Sequence, residues 1–237
     1  MTENGHSANG RVNGDVWVVI PVFNEAQVLQ SVVESALTVF PNVVCVDDGS
    51  RDGSVEAVLR TRAHLVRHPV NLGQGAALQT GLSYARAQPG AEYFVTFDAD
   101  GQHRLEDAQK MLDMARSPDV DLVLGTRFAE HAASVPLAKR LILRTAVLLS
   151  PAGRKLRLTD AHNGLRVLTR PVADDLQITM NGMAHASEIV SYLGHSHWRV
   201  REVPVSIRYT DYSRSKGQSL LNGVNILFDL SVRHRGG

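Results

Sequence analysis

YFVTFDADGQH, residues 93–103, is the stretch of this chain that decides its fold class. Its first five residues are aromatic or β-branched, which is typical of a buried strand. Asp98, Asp100 and Gln102 follow at once, so two carboxylates and an amide stand at the carboxyl end of that strand. In α/β sheets, ligands bind beyond the carboxyl ends of the strands. We therefore expect an α/β fold whose chemistry follows its strands.

The same pattern recurs through the first half of the chain. Apolar, β-branched runs predict further strands at 16–20, 43–46, 63–67 and 121–125. Between the strands, apolar residues with helical spacing predict helices at about 26–39, 54–61, 75–87 and 105–116. Asn24, with Gln27 three residues later, is expected to cap the first of these helices. The alternation implies a mostly parallel central sheet with helices on both faces.

The second half of the chain is less regular. Residues 136–149 and 219–232 have the pattern of apolar or amphipathic helices, and 184–193 predicts another helix. Strands are expected at 166–168, near 198–203 and at 205–209. Residues 1–14 are rich in Asn, Gly and Ser, lack the apolar stretch of a signal peptide, and predict a disordered tail.

Charge and composition exclude several classes of protein. With 25 basic and 24 acidic side chains, the 237-residue chain has a net charge of +1, which argues against nucleic-acid binding driven by a basic surface. A single cysteine, Cys45, excludes a disulfide framework and a thiolate metal site. No apolar run approaches the ~18 residues that a membrane-spanning helix needs. We therefore expect a globular protein of a reducing compartment.

The two carboxylates after residues 93–97 are candidate metal ligands. Mg²⁺ and Mn²⁺ prefer oxygen ligands, and such an ion commonly bridges one or two carboxylates to diphosphate oxygens. Asp98, Asp100 and Gln102 therefore form a candidate diphosphate site. The alternative is structural, since the same residues could cap the following helix and supply its acidic first turn.

Polar residues also follow the second and third strands. Asp47 and Asp48 could accept hydrogen bonds from a nucleoside, as acidic residues do after strands of nucleotide-binding sheets, or could simply form a turn. The loop at 71–75 is rich in glycine, but it lacks the Lys-Ser/Thr of a P-loop and the spacing of a dinucleotide-binding loop. An ATPase or a dehydrogenase is therefore not expected.

Taken together, these motifs resemble family 2 glycosyltransferases of the GT-A fold. The matching stretches are VVIPVFNE (18–25), VDDGSRDGS (46–54), NLGQGAALQTGL (71–82), FDADGQH (97–103), GTRF (125–128), DAHNGLRVL (160–168), EVPVSIRY (202–209) and SKG (215–217). They extend over about residues 15–220. The later motifs resemble the polyprenyl-phosphate glycosyltransferases, the group that includes dolichyl-phosphate mannose synthase.

The resemblance implies a fold, a reaction and a division of the chain. The fold would be a single GT-A domain with a Rossmann-like sheet over 15–237, comprising a nucleotide-binding half (15–125), an acceptor-binding half (126–218) and a C-terminal amphipathic helix (219–237). The reaction would be inverting transfer of a sugar from a UDP- or GDP-linked donor to a polyprenyl monophosphate, aided by Mg²⁺ or Mn²⁺. Its product would be a donor for cell-envelope glycans.

The resemblance also implies roles for individual residues. The residues that it implies contact the nucleotide-sugar are Pro21, Phe23, Glu25, Val46, Asp48, Gln74, Asp98, Ala99, Asp100, Asp160, Asn163 and Arg166. Metal ligation falls on Asp98, Asp100 and Gln102. The residues implied to bind the acceptor phosphate are Arg127, Arg140, Arg144 and Arg208. The implied catalytic residues are Asp100, Arg127, Arg140, Arg208 and Lys216. Arginines suit this task because guanidinium groups bind phosphate oxygens bidentately. His103 is a further candidate beside the diphosphate.

The chain departs from many relatives in ways that affect substrate and location. Gln74 stands where a Lys or Arg often occurs, and His162-Asn163 replaces a common Thr-Ser, which leaves the sugar open. C-terminal membrane helices found in several relatives are missing. We therefore expect a cytoplasmic protein that lies peripherally at the inner face of the membrane, with 136–149 and 219–232 at the surface. A small membrane partner and a homo-oligomer are further expectations.

Two other functions are compatible with these residues. A family 2 transferase acting on a sugar hydroxyl would need a carboxylate base, for which Asp160 and Glu188 are the candidates. A catalytically silent module that binds nucleotide-sugars is the second alternative.

Overall fold

The computed structural model describes residues 13–127, 156, 158–160, 163–182 and 184–208. The strands are β1 (Val16–Val22), β2 (Asn42–Asp47), β3 (His64–Arg67), β4 (Tyr93–Thr96), β5 (Leu122–Thr126), β6 (Arg166–Thr169) and β7 (Val200–Pro204). The helices are α1 (Ala26–Val39), α2 (Ser54–Leu59), α3 (Gln74–Arg86), α4 (Leu105–Ala115), α5 (Arg170–Asp175) and α6 (Ala184–His195). The helices predicted at 136–149 and 219–232 lie outside the described residues.

The seven strands form one sheet in the order β3-β2-β1-β4-β6-β5-β7. Neighbouring strands are parallel except at β6, which runs antiparallel to both β4 and β5. Because of this reversal, Arg166 at the start of β6 pairs with Thr96 at the end of β4. The segment that leads into β6 therefore lies at the same edge of the sheet as the carboxyl ends of the parallel strands.

Apolar cores lie on both faces of the sheet. Side chains alternate along a strand, so Val18 of β1 packs in the core with Leu29 of α1, while Val19 packs on the other face with Leu82 of α3. Ile189 of α6 joins this second core. The predicted α/β fold, mostly parallel with helices on both faces, is confirmed.

The predicted cap of α1 is wrong. Asn24 adopts a left-handed backbone conformation, with φ of 55°, and Glu25 occupies the position before the helix. The Asn24 side chain instead accepts a hydrogen bond from the backbone N–H of Arg51, with Oδ1 2.9 Å from that nitrogen. This residue therefore ties the β1 loop to the β2 loop.

Other predicted boundaries also change. The short helix α5 was not predicted, and residues 205–208 of the predicted strand at 205–209 do not continue the sheet. There, the backbone N–H of Ser206 donates to Asp107 Oδ2 of α4 at 2.8 Å. At the other end, Asn13 is buried and donates to the Val39 carbonyl at 3.0 Å, so the end of the predicted tail is packed on the domain. None of the helices within the described ranges is long and apolar enough to span a bilayer.

Candidate active site

A cleft of about 290 Å³ opens at the carboxyl ends of β1, β2 and β4. Its lining residues come from four loops and are Pro21, Val22, Phe23, Glu25, Asp48, Asn71, Gly73, Gln74, Asp98, Ala99 and Asp100. Most of the residues predicted to contact the nucleotide-sugar are thus together. Val46 is an exception, because its side chain lies in the core beneath α3, where it approaches Gly81.

A second, smaller cleft of about 90 Å³ adjoins the first. The two share Gln74, Asp98 and Asp100. The remaining lining residues of the second cleft are Gln102, His103, Arg127, Asn163, Gly164, Arg166, His185, Ala186 and Ile207. The two carboxylates therefore stand at the junction between a cleft lined by acidic and apolar residues and a cleft that contains Arg127 and Arg166.

Asp98 is held by polar partners on both of its oxygens. His103 Nε2 lies 2.9 Å from Oδ2, and Gln74 Nε2 donates to Oδ1 at 3.3 Å. Burial raises the pKa of Asp98, but the nearby charges of His103, Arg166 and His185 outweigh that effect and lower it overall. The side chain is therefore an ionised acceptor at neutral pH.

Asp100 behaves in the opposite way. Burial and the charge of Asp98, with a smaller contribution from Glu25, raise its pKa to about 6, although the backbone N–H of Gln102 donates to its Oδ1 at 3.0 Å. Two carboxylates that repel each other are a fitting site for a divalent cation, which would relieve the repulsion. Across the described ranges, no three His, Cys, Asp or Glu side chains converge on one point. A cation there would thus draw further ligands from amide or substrate oxygens.

The second cleft contains polar atoms that lack partners. Five buried side-chain polar atoms of the described residues have no hydrogen-bond partner, and three of them belong to residues that line this cleft: His103 Nδ1, Asn163 Nδ2 and Arg166 Nη1. Buried polar groups are rarely left unpaired in folded proteins. Three residues that line this cleft therefore carry buried polar atoms whose hydrogen-bonding capacity the protein leaves unused.

Gly164 allows this arrangement because it lies directly against Asp98. The Thr96 hydroxyl donates to its carbonyl at 2.6 Å, and a Cβ at Gly164 would lie 2.3 Å from Asp98 Oδ2. The Asp98 side chain is short and already bound to His103. It could therefore make room for a Cβ at Gly164 only by moving away from its position.

We expect Gly164→Ala to displace the Asp98 carboxylate. Affinity for Mn²⁺, measured by calorimetry in the presence of UDP or GDP, should fall by about tenfold or more. Gly14→Ala is the matched control, because nothing lies within 4 Å of a Cβ at Gly14. An unchanged Mn²⁺ affinity in Gly164→Ala would show that Mn²⁺ binding does not require the Asp98 carboxylate at the position seen in the structure.

Arg127 also lines the second cleft, and Asp160 fixes the direction of its side chain. Its Nε and Nη2 donate to the two carboxylate oxygens at 2.6 and 2.8 Å. The Asp160 side chain is fully buried, and it lines neither cleft among the described residues. Asp160 therefore orients the Arg127 side chain, and its predicted contact with the sugar stays a prediction.

Two further predicted residues, Arg208 and Glu188, line neither cleft among the described residues. The backbone N–H of Arg208 donates to the Gln102 carbonyl at 2.9 Å, while its side chain is exposed. Glu188 accepts hydrogen bonds from Thr179 and Met180. Arg140, Arg144, Lys216 and His162 lie outside the described residues.

Sequence reasoning missed two histidines. His185 belongs to no motif of the sequence, but α6 places it in the second cleft, where its charge lowers the pKa of Asp98. No local pattern could have identified it. His68 follows β3 directly and binds Asp48. Its position at a strand end was a usable signal, because the other strand ends had already been assigned to the site.

Comparisons with known proteins agree with this architecture. A family model described as Glycosyl transferase family 2 matches residues 17–176. The chain is 26% identical to the UDP-N-acetylglucosamine–dolichyl-phosphate N-acetylglucosaminyltransferase of Methanococcus voltae, over 93% of this chain and 96% of that protein. It is 28% identical to the polyprenol monophosphomannose synthase of Mycolicibacterium smegmatis, over 88% of this chain and 82% of that protein.

A solved structure supports the fold. Glucosyl-3-phosphoglycerate synthase from Mycobacterium tuberculosis, crystallised with Mn²⁺, UDP and glucosyl-3-phosphoglycerate, superposes with a TM-score of 0.64. The two proteins are 16% identical, and the match covers 97% of this chain and 86% of that one. At this identity the likeness concerns the fold alone.

Proposed function

Since this chain belongs to glycosyl transferase family 2 and has the GT-A fold, we propose that it moves one sugar from a UDP- or GDP-linked donor to a polyprenyl monophosphate. The reaction inverts the anomeric carbon and yields a polyprenyl-phosphate sugar, a donor for cell-envelope glycans. The proposal is carried by one observation, the meeting of the two clefts at Asp98 and Asp100. The relatives named for dolichyl phosphate and polyprenol monophosphate support this acceptor class.

The donor is assigned across the junction of the clefts. Its nucleotide occupies the first cleft and its sugar the second, where Asn163 Nδ2 and Arg166 Nη1 lack partners. The donor diphosphate then lies against Asp98 and Asp100. These two carboxylates, with Gln102, would hold Mg²⁺ or Mn²⁺, and the ion when bound neutralises charge on the leaving diphosphate. The Mn²⁺ and UDP of the glucosyl-3-phosphoglycerate synthase structure support the choice of ion.

The acceptor is assigned to the Arg127 side of the second cleft. A phosphate monoester is mostly ionised at neutral pH, so the nucleophile needs no strong base. It needs cations that hold one anion in line with another. Arg127 is directed by Asp160 and buried to 84%, since 16% of its side chain is exposed. Arg208 beside Gln102, together with Arg140, Arg144 and Lys216, completes the proposed cationic set.

A hydroxyl acceptor is less compatible with the site. The two carboxylates that sequence suggested as bases, Asp160 and Glu188, are both engaged as acceptors by neighbouring groups and line neither cleft among the described residues. Because a hydroxyl must lose its proton during transfer, such an acceptor would require another base. A phosphate acceptor does not.

Membrane contact follows from the acceptor, since polyprenyl chains reside in the bilayer. We place the chain peripherally at the inner face, where nucleotide-sugars are available. A small membrane partner and self-association remain parts of the proposal.

A transfer assay with two acceptors tests this function. The purified chain, Mn²⁺ and radiolabelled UDP- and GDP-sugars are incubated in detergent with either a polyprenyl monophosphate or the corresponding polyprenol. We expect label in the lipid phase with the phosphate only, because the polyprenol lacks the ionised nucleophile.

The outcomes separate the alternatives. Transfer to polyprenol or to free sugars at a similar rate would favour a hydroxyl acceptor. Binding of a donor without its consumption by any acceptor would favour a silent binding module. Either result would contradict the proposal.

A further inference from the structure

Asp48 lines the first cleft, and its oxygens are largely committed to hydrogen bonds from the protein's own backbone and side chains. Its Oδ1 accepts hydrogen bonds from His68 Nδ1 and from the backbone N–H of Leu72, each at 2.8 Å. Its Oδ2 accepts a hydrogen bond from the backbone N–H of Gly73, also at 2.8 Å. A carboxylate oxygen has about two acceptor positions. Oδ1 is therefore saturated, and Oδ2 keeps a single acceptor position.

The loops around Asp48 hold its carboxylate in this arrangement. Gly49, with φ of 74°, brings the β2 loop so close to the next loop that a Cβ at this position would lie 2.8 Å from the Asn71 nitrogen. His68 is 9% exposed and also binds Thr80 of α3, with Nε2 3.0 Å from the hydroxyl oxygen. A carboxylate accepts hydrogen bonds, so we assign His68 Nδ1 as the donor of this pair. His68 therefore holds the carboxylate in one orientation.

Asp48 nevertheless lines the first cleft, beside apolar side chains. Pro21, Val22 and Phe23 line the same cleft, and Phe23 is 44% exposed although it is a large aromatic residue. An aromatic ring and a carboxylate acceptor together fit a planar base, which stacks on the first and donates an N–H to the second. Asn71 adds an amide to the lining.

The number of acceptor positions discriminates between bases. Guanine presents two adjacent donors, N1–H and the exocyclic amine, and satisfies both only against two acceptor positions. Uracil and thymine present one ring donor, N3–H, between two carbonyls. Cytosine has no proton at N3. A carboxylate with one remaining acceptor position thus matches the single N3–H of a pyrimidinedione, whereas it would leave one guanine donor unpaired.

From this we infer that the donor nucleotide carries uracil or thymine, and that His68 is a positioning residue that sets this preference by saturating Asp48 Oδ1. The inference rests on the proposed function, because it assumes that the first cleft holds the donor nucleotide. It narrows that function from two nucleotide classes to one. The family description names no nucleotide; of the two relatives, one is named for a UDP-linked donor and the other for none.

Calorimetric binding with Mn²⁺ tests the inference on the unaltered protein. The ligands are UDP, TDP, GDP, CDP and N3-methyl-UDP, the last of which differs from UDP only by loss of the N3–H. We expect UDP or TDP to bind at least about tenfold more tightly than GDP, CDP and N3-methyl-UDP. The comparison of UDP with TDP shows whether uracil or thymine is bound more tightly. Either result supports the inference, because both bases have the N3–H donor.

Two variants then test the positioning role of His68. His68→Ala returns an acceptor position to Oδ1, so the preference for UDP over GDP should fall at least about fivefold. His68→Asn keeps an N–H donor near the place of Nδ1 and should retain the preference. His64→Ala is the matched control at the other end of β3, where the ring contacts Tyr84 and Trp17. A merely structural role of His68 would weaken all nucleotides alike.

The failures can be told apart. Tight binding of GDP, or of N3-methyl-UDP within twofold of UDP, would overturn the inference and leave the proposed function standing. Absence of Mn²⁺-dependent binding for every nucleoside diphosphate would overturn both.

Discussion

Replacing Asp100 by asparagine is expected to reduce sugar transfer by at least about a hundredfold and yet to leave the metal-free protein as stable as the wild type, or more stable. The physical reason is the repulsion at the junction of the clefts. Burial and the charge of Asp98 raise the pKa of Asp100 to about 6 from its usual 3.8. A carboxylate with a raised pKa destabilises the fold at a pH above that value, where it is charged. Asparagine removes the charge and keeps an acceptor for the Gln102 N–H.

The pH dependence has a definite sign. The penalty from Asp100 is present above about pH 6 and disappears below its unfolded value of 3.8. Thermal melts in EDTA should therefore show Asp100→Asn with its largest advantage, of roughly 1–3 kcal/mol, at neutral pH and none near pH 4. Addition of Mn²⁺ with nucleotide should raise the melting temperature of the wild type but not of the variant.

Asp98→Asn is the informative control, because the same change at the neighbouring position should have the opposite effect on stability. The charge of Asp98 is stabilised by His103, Arg166 and His185, so its loss should destabilise the metal-free protein. If Asp100→Asn proved less stable than the wild type in EDTA, or kept its Mn²⁺ response, the repulsion between the two carboxylates would not be what prepares this site for a cation.

Removal of the Arg127 side chain is expected to destabilise the fold by about 3–5 kcal/mol. Arg127→Met leaves the fully buried Asp160 carboxylate without its bidentate partner. Glu202 aggravates this loss: burial raises its pKa, and the charge of Asp160 raises it further. The free energy of unfolding can be measured by urea denaturation.

Two further variants separate stability from catalysis. Arg199→Met removes a cation of similar bidentate geometry, bound to Asp121 at 2.9 and 2.8 Å, but half of that arginine side chain is exposed, so the loss of stability should be much smaller than in Arg127→Met. The double variant Arg127→Met, Asp160→Leu removes both charges and should recover most of the stability. It should not recover sugar transfer, because the acceptor phosphate still lacks its cation. Recovered transfer would contradict the role proposed for Arg127.

Much of the fold and part of the site could be predicted from the sequence. Local patterns sufficed for β1 to β5 and for α1 to α4, because burial imposes alternation on a strand and a 3.6-residue period on a helix. The parallel strands also align their carboxyl ends, so Asp48, Asp98 and Asp100 could be expected at one edge from strand positions alone. His103, five residues after Asp98, could be expected near the same edge, but its contact with Asp98 Oδ2 is seen only in the structure.

The allocation of hydrogen bonds could not be predicted in this way. Asp48 and Asp160 both stand in motifs that suggest ligand contact, but the first is largely committed to the loop after β3 and the second to Arg127. These partners lie 20 to 33 residues away in the chain. An aspartate at a strand end indicates that a hydrogen-bond acceptor is present. The sequence does not indicate how many of its acceptor positions remain after the protein's own hydrogen bonds have formed.

What the sequence by itself determined is the α/β class, the family resemblance and the strand-end carboxylates. Only the tertiary structure decided that β6 runs antiparallel between β4 and β5. This reversal brings Asn163 and Arg166 beside Asp98, with Gly164 giving the close approach that any Cβ would block. The physical reason is that strand order depends on how the sheet buries its faces among distant segments, a property of packing that no local period of apolar residues encodes.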